Sequence, residues 1–297
     1  MHGKCGRASR SSSIFPAGGT RTSASLRIRR GLAVSRIEET FVSLGKSGEK
    51  GLVVYLTAGD PNPRDFLSYL HGAADGGADI LEVGIPFSDP MADGPVIQGA
   101  FRRALAGGMT TGRALSLVSS FRKKHDTPVV IFGYYNPFLR YGVRGFCRDA
   151  RSAGADGVLV VDLPPEEARE MAPEAGKAGL DWIPLISPIS GGDRIRNATA
   201  IGSGFLYLIS VTGITGVRKS FPPRLVKWTR EVKTQSRLPV AVGFGISRPA
   251  MAREATRHAD AAVVGSACVK LVEHHGASRK GPVALRRFVQ SLKKAMR

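Results

Sequence analysis

Eight short apolar runs recur along most of the sequence, and this repeat limits the chain to few folds. Each run is rich in β-branched residues and ends near Gly, Asp or Pro, and amphipathic stretches separate the runs. The apolar residues are continuous rather than alternating, as in strands buried on both faces of a parallel sheet. We therefore predict strands at residues 51–56, 80–83, 129–132, 157–161, 182–185, 205–208, 240–242 and 261–264.

Eight strands that alternate with helices over about 250 residues are typical of a (β/α)8 barrel, or TIM barrel. We predict an α/β fold with a single such barrel over residues 34–297, an N-terminal helix near Ser35, and an extra helix after strand two, where residues 84–128 leave a long gap. An open doubly wound sheet is the structural alternative. That fold has a glycine-rich nucleotide turn after its first strand, whereas here the strand ends in Thr57-Ala-Gly-Asp-Pro.

Two sequence signals inside this pattern mark the beginnings of helices. Asn62 followed by Pro63 combines a capping side chain with a proline in the first helical turn. Pro164-Pro165-Glu166-Glu167 places acids where the helix dipole favours them. We predict that a helix begins at each of these segments.

The N-terminal residues 1–33 differ from the rest of the chain in composition. They are rich in Ser, Arg and Gly, and no acid occurs before Glu38, so they supply part of the net charge of +19. We expect a disordered basic extension. One interpretation is an organellar transit peptide, with the mature protein in the plastid stroma. The favoured interpretation is a start placed upstream of the true one at Val34, and a cytoplasmic protein.

Several classes of protein are disfavoured by composition and spacing. The sequence shows no zinc-finger spacing, RNA-binding signature or basic helix with heptads, so we expect no nucleic-acid partner and interpret the positive charge as attraction for anionic substrates. Its apolar runs are far shorter than the roughly 18 residues that span a bilayer, so no membrane is expected. The 3 cysteines and 6 histidines are scattered, which predicts no metal site.

Two carboxylates lie in contrasting surroundings within and after the second strand. Glu82 stands among apolar residues and points into the barrel if Leu81 and Val83 point outward, and burial there raises a carboxyl pKa toward the range of an acid–base catalyst. Asp93 follows on a loop rich in Pro and Gly. Such a pair can supply an acid and a stabiliser of charge. A strand salt bridge and a turn aspartate remain the structural alternatives.

Glycine clusters follow the last three predicted strands, where barrels commonly bind phosphate. Glycine lets the backbone approach an anion closely, and N–H groups at a helix start can hold it. The clusters are Ser210-Val-Thr-Gly-Ile-Thr-Gly, Gly243-Phe-Gly-Ile-Ser and Gly265-Ser-Ala, and together they predict a phosphate site.

At these residues the chain resembles the tryptophan synthase α-subunit family. Residues 81–95 carry the family's acid-bearing segment in full, and the likeness continues in Thr57-Ala-Gly-Asp-Pro, Asp162-Leu-Pro-x-Glu-Glu, Tyr207-Leu-x-Ser, Gly213-Ile-Thr-Gly, Gly243-Phe-Gly-Ile-Ser and Gly265-Ser-Ala. The resemblance covers about residue 35 to the C-terminus. It implies a lyase that splits indole-3-glycerol phosphate into indole and glyceraldehyde 3-phosphate in L-tryptophan biosynthesis.

The resemblance also implies roles for individual residues. Glu82 would be the general acid–base residue, Asp93 would bind the indole N–H, and Tyr207 would assist near Glu82. The segment after Ser210 would form a mobile lid. The glycerol phosphate would be held by backbone N–H groups of Gly216, Gly245, Gly265 and Ser266. The indole pocket would be walled by Tyr55, Phe132, Leu159 and Ile186, for which a plain core role is equally open.

The family's partner and cofactor follow from the same resemblance. This chain would need no metal or organic cofactor, while a β subunit carrying pyridoxal phosphate would complete an α2β2 heterotetramer.

The rival functions are those of other phosphate-binding barrel enzymes and of a catalytically dead barrel that serves as a binding subunit. An indole-glycerol-phosphate synthase would need a lysine in the first strand and a ribulose-phosphate epimerase would need metal-binding histidines at strand ends. Neither occurs here. Retention of Glu82, Asp93 and Tyr207 disfavours a dead barrel.

Overall fold

The computed structural model describes residues 34–209, 223–243 and 245–297. The predicted extension 1–33 and the predicted lid with Gly216 lie outside these ranges. The described strands are β1 (Gly51–Thr57), β2 (Ile80–Gly84), β3 (Val129–Gly133), β4 (Gly157–Val160), β5 (Asp181–Trp182), β6 (Leu185–Ile186), β7 (Leu206–Ile209), β8 (Val240–Gly243) and β9 (Ala261–Val264). They form one parallel sheet in the order β5-β4-β3-β2-β1-β9-β8-β7-β6.

The two end strands of this sheet are consecutive pieces of one extended segment, so the sheet closes on itself. Strand β5 pairs with β4, and β6 pairs with β7. Between them Ile183 N–H donates to Val158 O at 2.9 Å, and Pro184 O accepts from Tyr207 N–H at 3.0 Å. Pro184 has no N–H of its own, which interrupts the ladder at that point. The predicted eight-stranded barrel is therefore confirmed, with its fifth strand split in two.

Side chains on these strands divide into an inner and an outer apolar layer. Alternate residues of β1 illustrate the division: Val53 and Tyr55 belong to the cluster inside the barrel, while Val54 belongs to the cluster beneath the surrounding helices. Successive strand residues point to opposite faces. Both layers are buried, which explains why the strands read as continuous apolar runs.

Helices surround the barrel and cover its base. They are α1 (Arg36–Ser47), α2 (Pro63–Asp75), α3 (Pro95–Ala106), α4 (Thr111–Arg122), α5 (Tyr135–Tyr141), α6 (Val143–Ser152), α7 (Ala172–Lys177), α8 (Gly192–Ile201), α9 (Pro223–Gln235), α10 (Pro249–Thr256), α11 (Ser266–His275) and α12 (Lys280–Ala295). Helix α1 is the predicted N-terminal helix: Ser35 caps it, and Ile37 enters the inner cluster from below. No helix in the described ranges has both the length and the apolar character to cross a membrane.

The predicted helix starts have different outcomes. Asn62 caps α2 as expected, accepting a hydrogen bond from Asp65 N–H. The gap after β2 holds two helices, α3 and α4, so the extra helix is confirmed. The start at residue 164 is wrong: a turn and a 3₁₀ helix (Ala168–Glu170) come first, and α7 begins only at Ala172. Residues three apart share one face of a 3₁₀ helix, which lets Ala168 and Met171 both reach the outer core.

A buried carboxylate network fixes the base of the barrel at β4. Asp156, whose side chain is 1% exposed, accepts hydrogen bonds from Arg36 at 2.8 Å, from Arg122 at 2.9 Å and from the N–H of Val129 at 2.9 Å. The carboxylate thus joins α1, α4 and β3. Buried charge is tolerated in proteins when it is fully paired in this way.

Replacement of Asp156 by alanine should destabilise the fold, because it leaves Arg36 and Arg122 without their shared partner. Loss of one partner of a buried ion pair costs about 3–5 kcal/mol. We expect roughly 2–4 kcal/mol here, since the Arg36 side chain is 39% exposed. Chemical unfolding followed by circular dichroism measures the change. The matched control is Asp149→Ala, which removes a surface carboxylate from Arg148 and should barely alter stability. Equal effects of the two substitutions would contradict the importance of the network.

Candidate active site

Glu82 points into the barrel from the middle of β2. It lies level with Tyr55 of β1 and Val130 of β3 in the sheet register, and Ile80 on the same face belongs to the inner cluster, while Leu81 faces the helices. The side chain of Glu82 is buried, and neither carboxyl oxygen has a hydrogen-bond partner among the described residues. Burial raises the pKa of Glu82 to about 8. This carboxyl is therefore mainly protonated at neutral pH.

Asp93 lies on the loop that leaves the carboxyl end of β2, and its environment differs. Its Oδ2 accepts a hydrogen bond from the hydroxyl of Tyr134 at 2.7 Å, and its backbone oxygen accepts one from Gln98 at 2.9 Å. Burial raises the pKa of Asp93 to about 6, and the bond from Tyr134 opposes that rise. Asp93 is therefore mainly ionised at neutral pH, when Glu82 is not.

Two tyrosines face the space between these acids. Burial, together with the charges of Glu82 and Asp93, raises the pKa of Tyr207 on β7 and of Tyr55 on β1 well above the usual value, so both phenols remain neutral. Glycine makes room for each hydroxyl: a Cβ at Gly243 would lie 2.4 Å from Tyr207 Oη, and one at Gly84 would lie 2.1 Å from Tyr55 Oη. Tyr207 thus reaches the interior from the strand across the barrel from Glu82, and Tyr55 reaches it from the strand next to Glu82.

Three of the four predicted indole-pocket residues lie together inside the barrel. Tyr55 and Phe132 contact edge to face with ring centroids 5.1 Å apart, and Leu159 belongs to the same inner cluster. Ile186 does not join them, because it is buried in the outer cluster beneath the helices. Its neighbour Leu185, level with Tyr207 in the register, packs against the inner cluster instead. At this level of the barrel Leu185, rather than Ile186, therefore faces the interior.

The predicted phosphate residues lie at the same end of the barrel, where described. Gly245 follows β8, is exposed and has φ +70°, a conformation that favours glycine. Gly265 and Ser266 form the junction between β9 and α11, where the first turn of a ten-residue helix leaves N–H groups without helical acceptors. Gly216 is outside the described residues. The carboxyl ends of parallel strands share one end of the barrel, so these groups and the two acids line one mouth.

Sequence reasoning did not single out Tyr134 or Leu185. Tyr134 is 41 residues from Asp93, and no local pattern connects them. Leu185 could have been found from strand parity, because a residue level with the inward-facing Tyr207 must itself face inward. Among the described residues no three His, Cys, Asp or Glu side chains are grouped so that they could hold a metal ion.

Together these features define a (β/α)8-barrel enzyme with a buried protonated acid, an ionised acid and a helix N-terminus without a side-chain cap. Residues 41–297 match the family model described as "Tryptophan synthase alpha chain". The chain is 48% identical over 240 residues to the tryptophan synthase alpha chain of Geotalea uraniireducens (strain Rf4), covering 81% of this chain and 90% of that protein. The chain therefore belongs to the tryptophan synthase alpha chain family.

Further relatives support this assignment along nearly their whole length. The alpha chain of Burkholderia multivorans is 45% identical over 265 residues, covering 89% of this chain and 97% of that protein. The structure of tryptophan synthase subunit alpha from Legionella pneumophila str. Paris superimposes with a TM-score of 0.82 at 40% identity, covering 89% and 99% of the two chains. A chain from the tryptophan synthase α2β2 complex of Pyrococcus furiosus gives 0.77 at 39% identity, covering 82% and 98%.

The raised pKa of Glu82 should make stability depend on pH. Its usual value is near 4.5 and its folded value is about 8, so the folded chain holds this proton more tightly than the unfolded chain. That stabilisation is fully present below pH 4.5 and is lost as the pH rises through about 8. Glu82→Gln cannot ionise, so at pH 9 its free energy of unfolding should exceed the parent's by roughly 2–4 kcal/mol.

Urea unfolding of both proteins between pH 5 and pH 9 measures this difference, which should shrink toward low pH. Glu273→Gln is the matched control, since that side chain is exposed on α11 and pairs with Arg103. If the free energies of unfolding of parent and Glu82→Gln ran parallel from pH 5 to pH 9, the carboxyl of Glu82 would not be shielded from water.

Proposed function

We propose that Glu82, Asp93 and Tyr207 carry out the carbon–carbon cleavage of this family inside the barrel. The protein is a lyase of L-tryptophan biosynthesis that cleaves indole-3-glycerol phosphate to indole and glyceraldehyde 3-phosphate. The observation that carries the residue assignment is the contrast between the two carboxyls, with pKa values of about 8 and about 6. Titratable groups whose environments separate their pKa values can divide acid and charge-stabilising work.

Glu82 acts as the acid and then as the base. Its proton goes to C3 of the indole ring, which makes the ring an electron acceptor. The bond from C3 to the glycerol side chain then breaks, and its electron pair returns to the ring. At the same time the hydroxyl on the departing carbon loses its proton to the Glu82 carboxylate and becomes the aldehyde carbonyl. The proton is thus returned, and no oxidant or reductant is required.

Asp93 stabilises the positive charge that the protonated ring carries at its nitrogen. An ionised carboxylate can accept the indole N–H, and its attraction strengthens as charge develops. The neutral phenol of Tyr207 faces Glu82 and can hydrogen-bond to it as the proton moves. Tyr55, Phe132, Leu159 and Leu185 enclose the flat apolar ring.

The phosphate end of the substrate lies at the other side of the mouth. We assign its binding to backbone N–H groups of Gly216, Gly245, Gly265 and Ser266, the last two at the N-terminus of α11, where the helix dipole favours an anion. The family's cleavage needs no cofactor in this chain. We assign catalysis to residues 34–297 and a cytoplasmic location to the protein.

We further propose that the chain works with a tryptophan synthase β subunit that carries pyridoxal phosphate, in an α2β2 assembly. The related Pyrococcus furiosus structure is described as a mutually activating α2β2 complex. In this chain the loop of residues 86–93 presents Met91, 90% exposed, beside the catalytic Asp93. An exposed apolar side chain at the mouth supports docking of a partner on this face.

Removal of the Glu82 carboxyl should abolish catalysis without unfolding the protein. We expect Glu82→Gln to lower indole release from indole-3-glycerol phosphate by roughly 10²- to 10⁴-fold, the usual contribution of a placed proton donor. Asp93→Asn should lower it by roughly 10²-fold. The exposed Glu273→Gln should retain parent turnover. Near-parent turnover in Glu82→Gln, measured with circular dichroism as a check of folding, would refute the assignment.

Addition of purified β subunit to the full chain should accelerate indole release, and saturation should give roughly 5- to 100-fold, a usual size of coupling between sites. Met91→Asp should weaken this activation while basal turnover is kept, because a charge would enter the interface. Val283→Asp, at a half-exposed apolar residue on α12, is the matched control. Unchanged turnover of the parent chain at saturating β subunit would exclude the partnership.

A further inference from the structure

The hydroxyl of Tyr134 holds two neighbouring groups of the catalytic loop at once. It donates to Asp93 Oδ2 at 2.7 Å and accepts from the backbone N–H of Ala92 at 3.0 Å. Tyr134 directly follows β3 and precedes α5, and its side chain is buried. Its ring also packs against Phe87 at the start of the loop, with centroids 5.3 Å apart. A tyrosine at the end of a strand thus binds a loop whose Asp93 lies 41 residues away in sequence.

The two oxygens of the Asp93 carboxylate are therefore not equivalent. Oδ2 is engaged by Tyr134, whereas Oδ1 has no hydrogen-bond partner among the described residues. Carboxylates carry two acceptor oxygens, and a bond to one of them fixes the plane and direction of the other. Gln98 donates to the backbone oxygen of the same residue at 2.9 Å, which restrains the loop independently of the side chain.

We propose that Tyr134 is a positioning residue for the cleavage, one that fixes the Asp93 carboxylate with Oδ2 engaged and Oδ1 presented to the indole N–H. This inference rests on the proposed role of Asp93 and extends it to a residue that follows another strand, β3. Tyr134 acts through Asp93 and has no contact of its own with the reacting atoms. Preorganised groups stabilise a transition state without the reorganisation that a free side chain would need.

The same hydrogen bond favours the ionised form of Asp93. Burial alone would raise the carboxyl pKa, and the bond from Tyr134 opposes this rise. Besides Tyr134, the described titratable groups that interact with this acid are Tyr55 of β1 and Tyr207 of β7. The tyrosines stay neutral throughout the working range, while Glu82 titrates at about 8 and governs the alkaline side of the activity profile. The acidic limb of the pH–activity profile then reports the ionisation of Asp93.

Tyr134→Phe removes the hydroxyl and keeps the ring that packs on Phe87. We expect kcat for indole release from the full chain to fall roughly 10-fold at pH 7, with a smaller change in KM, because Asp93 acts most strongly on the charged transition state. The acidic limb of kcat/KM should move upward by about one pH unit. Tyr135→Phe is the matched control, since its hydroxyl donates to the surface carboxylate of Glu170 at 2.6 Å and touches nothing in the site.

A double-variant cycle separates this inference from the underlying function. If Tyr134 acts only through Asp93, Tyr134→Phe should add no further loss on top of Asp93→Asn. An additive loss, or a uniform drop with an unmoved acidic limb, would show a merely structural role and overturn the proposal. If Asp93→Asn itself keeps parent turnover, the proposed role of Asp93 fails instead. Melting temperatures of all variants, compared with that of Tyr135→Phe, detect any loss of folded structure. The pH of the acidic limb of kcat/KM is then measured only on variants that remain folded.

Discussion

The unpaired burial of the Glu82 carboxyl is the constraint on which the rest of the site depends. A carboxylate in a dry interior loses its hydration, and the folded chain responds by holding the proton to a pKa of about 8. Such a group is tolerated only where rigid surroundings leave no way for it to reach water. Strand β2 provides this, because its side-chain alternation places Glu82 inside the barrel with Tyr55 and Val130 level with it on either side.

The second acid, Asp93, must be ionised in the pH range where Glu82 is protonated. Its position on the loop after β2 provides the different environment that this requires. Asp93 is only eleven residues further along the chain, but it belongs to the mouth of the barrel and receives a hydrogen bond from Tyr134. That bond favours the ionised form, whereas no described residue donates a hydrogen bond to Glu82. One acid is therefore charged and the other protonated in the same pH range. The phenols of Tyr55 and Tyr207 stay neutral and add no charge to the site, because burial raises their pKa values well above the usual value.

Local sequence patterns were sufficient for the strands, and strand parity for the orientation of Glu82, because one face of each strand must fill a closed barrel. The assignment of Ile186 to the pocket came from the family resemblance rather than from parity: Ile183 and Leu185 face the inner cluster and Ile186 the outer one, so the alternation continues unbroken through Pro184. Local patterns failed where tertiary packing decides the outcome. The helix start at residue 164 failed because burial of Ala168 and Met171 outweighs the local signal. Tyr134 could not be found at all, since only the fold brings it to Asp93.

Two buried acids of the barrel differ in their hydrogen bonding. The acid at the base is fully paired and serves stability, whereas the acid in the interior is unpaired and serves chemistry. At the base, Asp156 is saturated by Arg36, Arg122 and a backbone N–H, which locks α1, α4 and β3 together. Inside the barrel, Glu82 has no described partner, and a positively charged partner there would lower its pKa and remove the proton that the cleavage requires. A salt bridge to Glu82 would satisfy the buried carboxylate, but it would keep Glu82 ionised and unable to donate a proton. The barrel can leave this carboxyl unsatisfied because stabilising contacts are made elsewhere, at the base of the neighbouring strands β3 and β4.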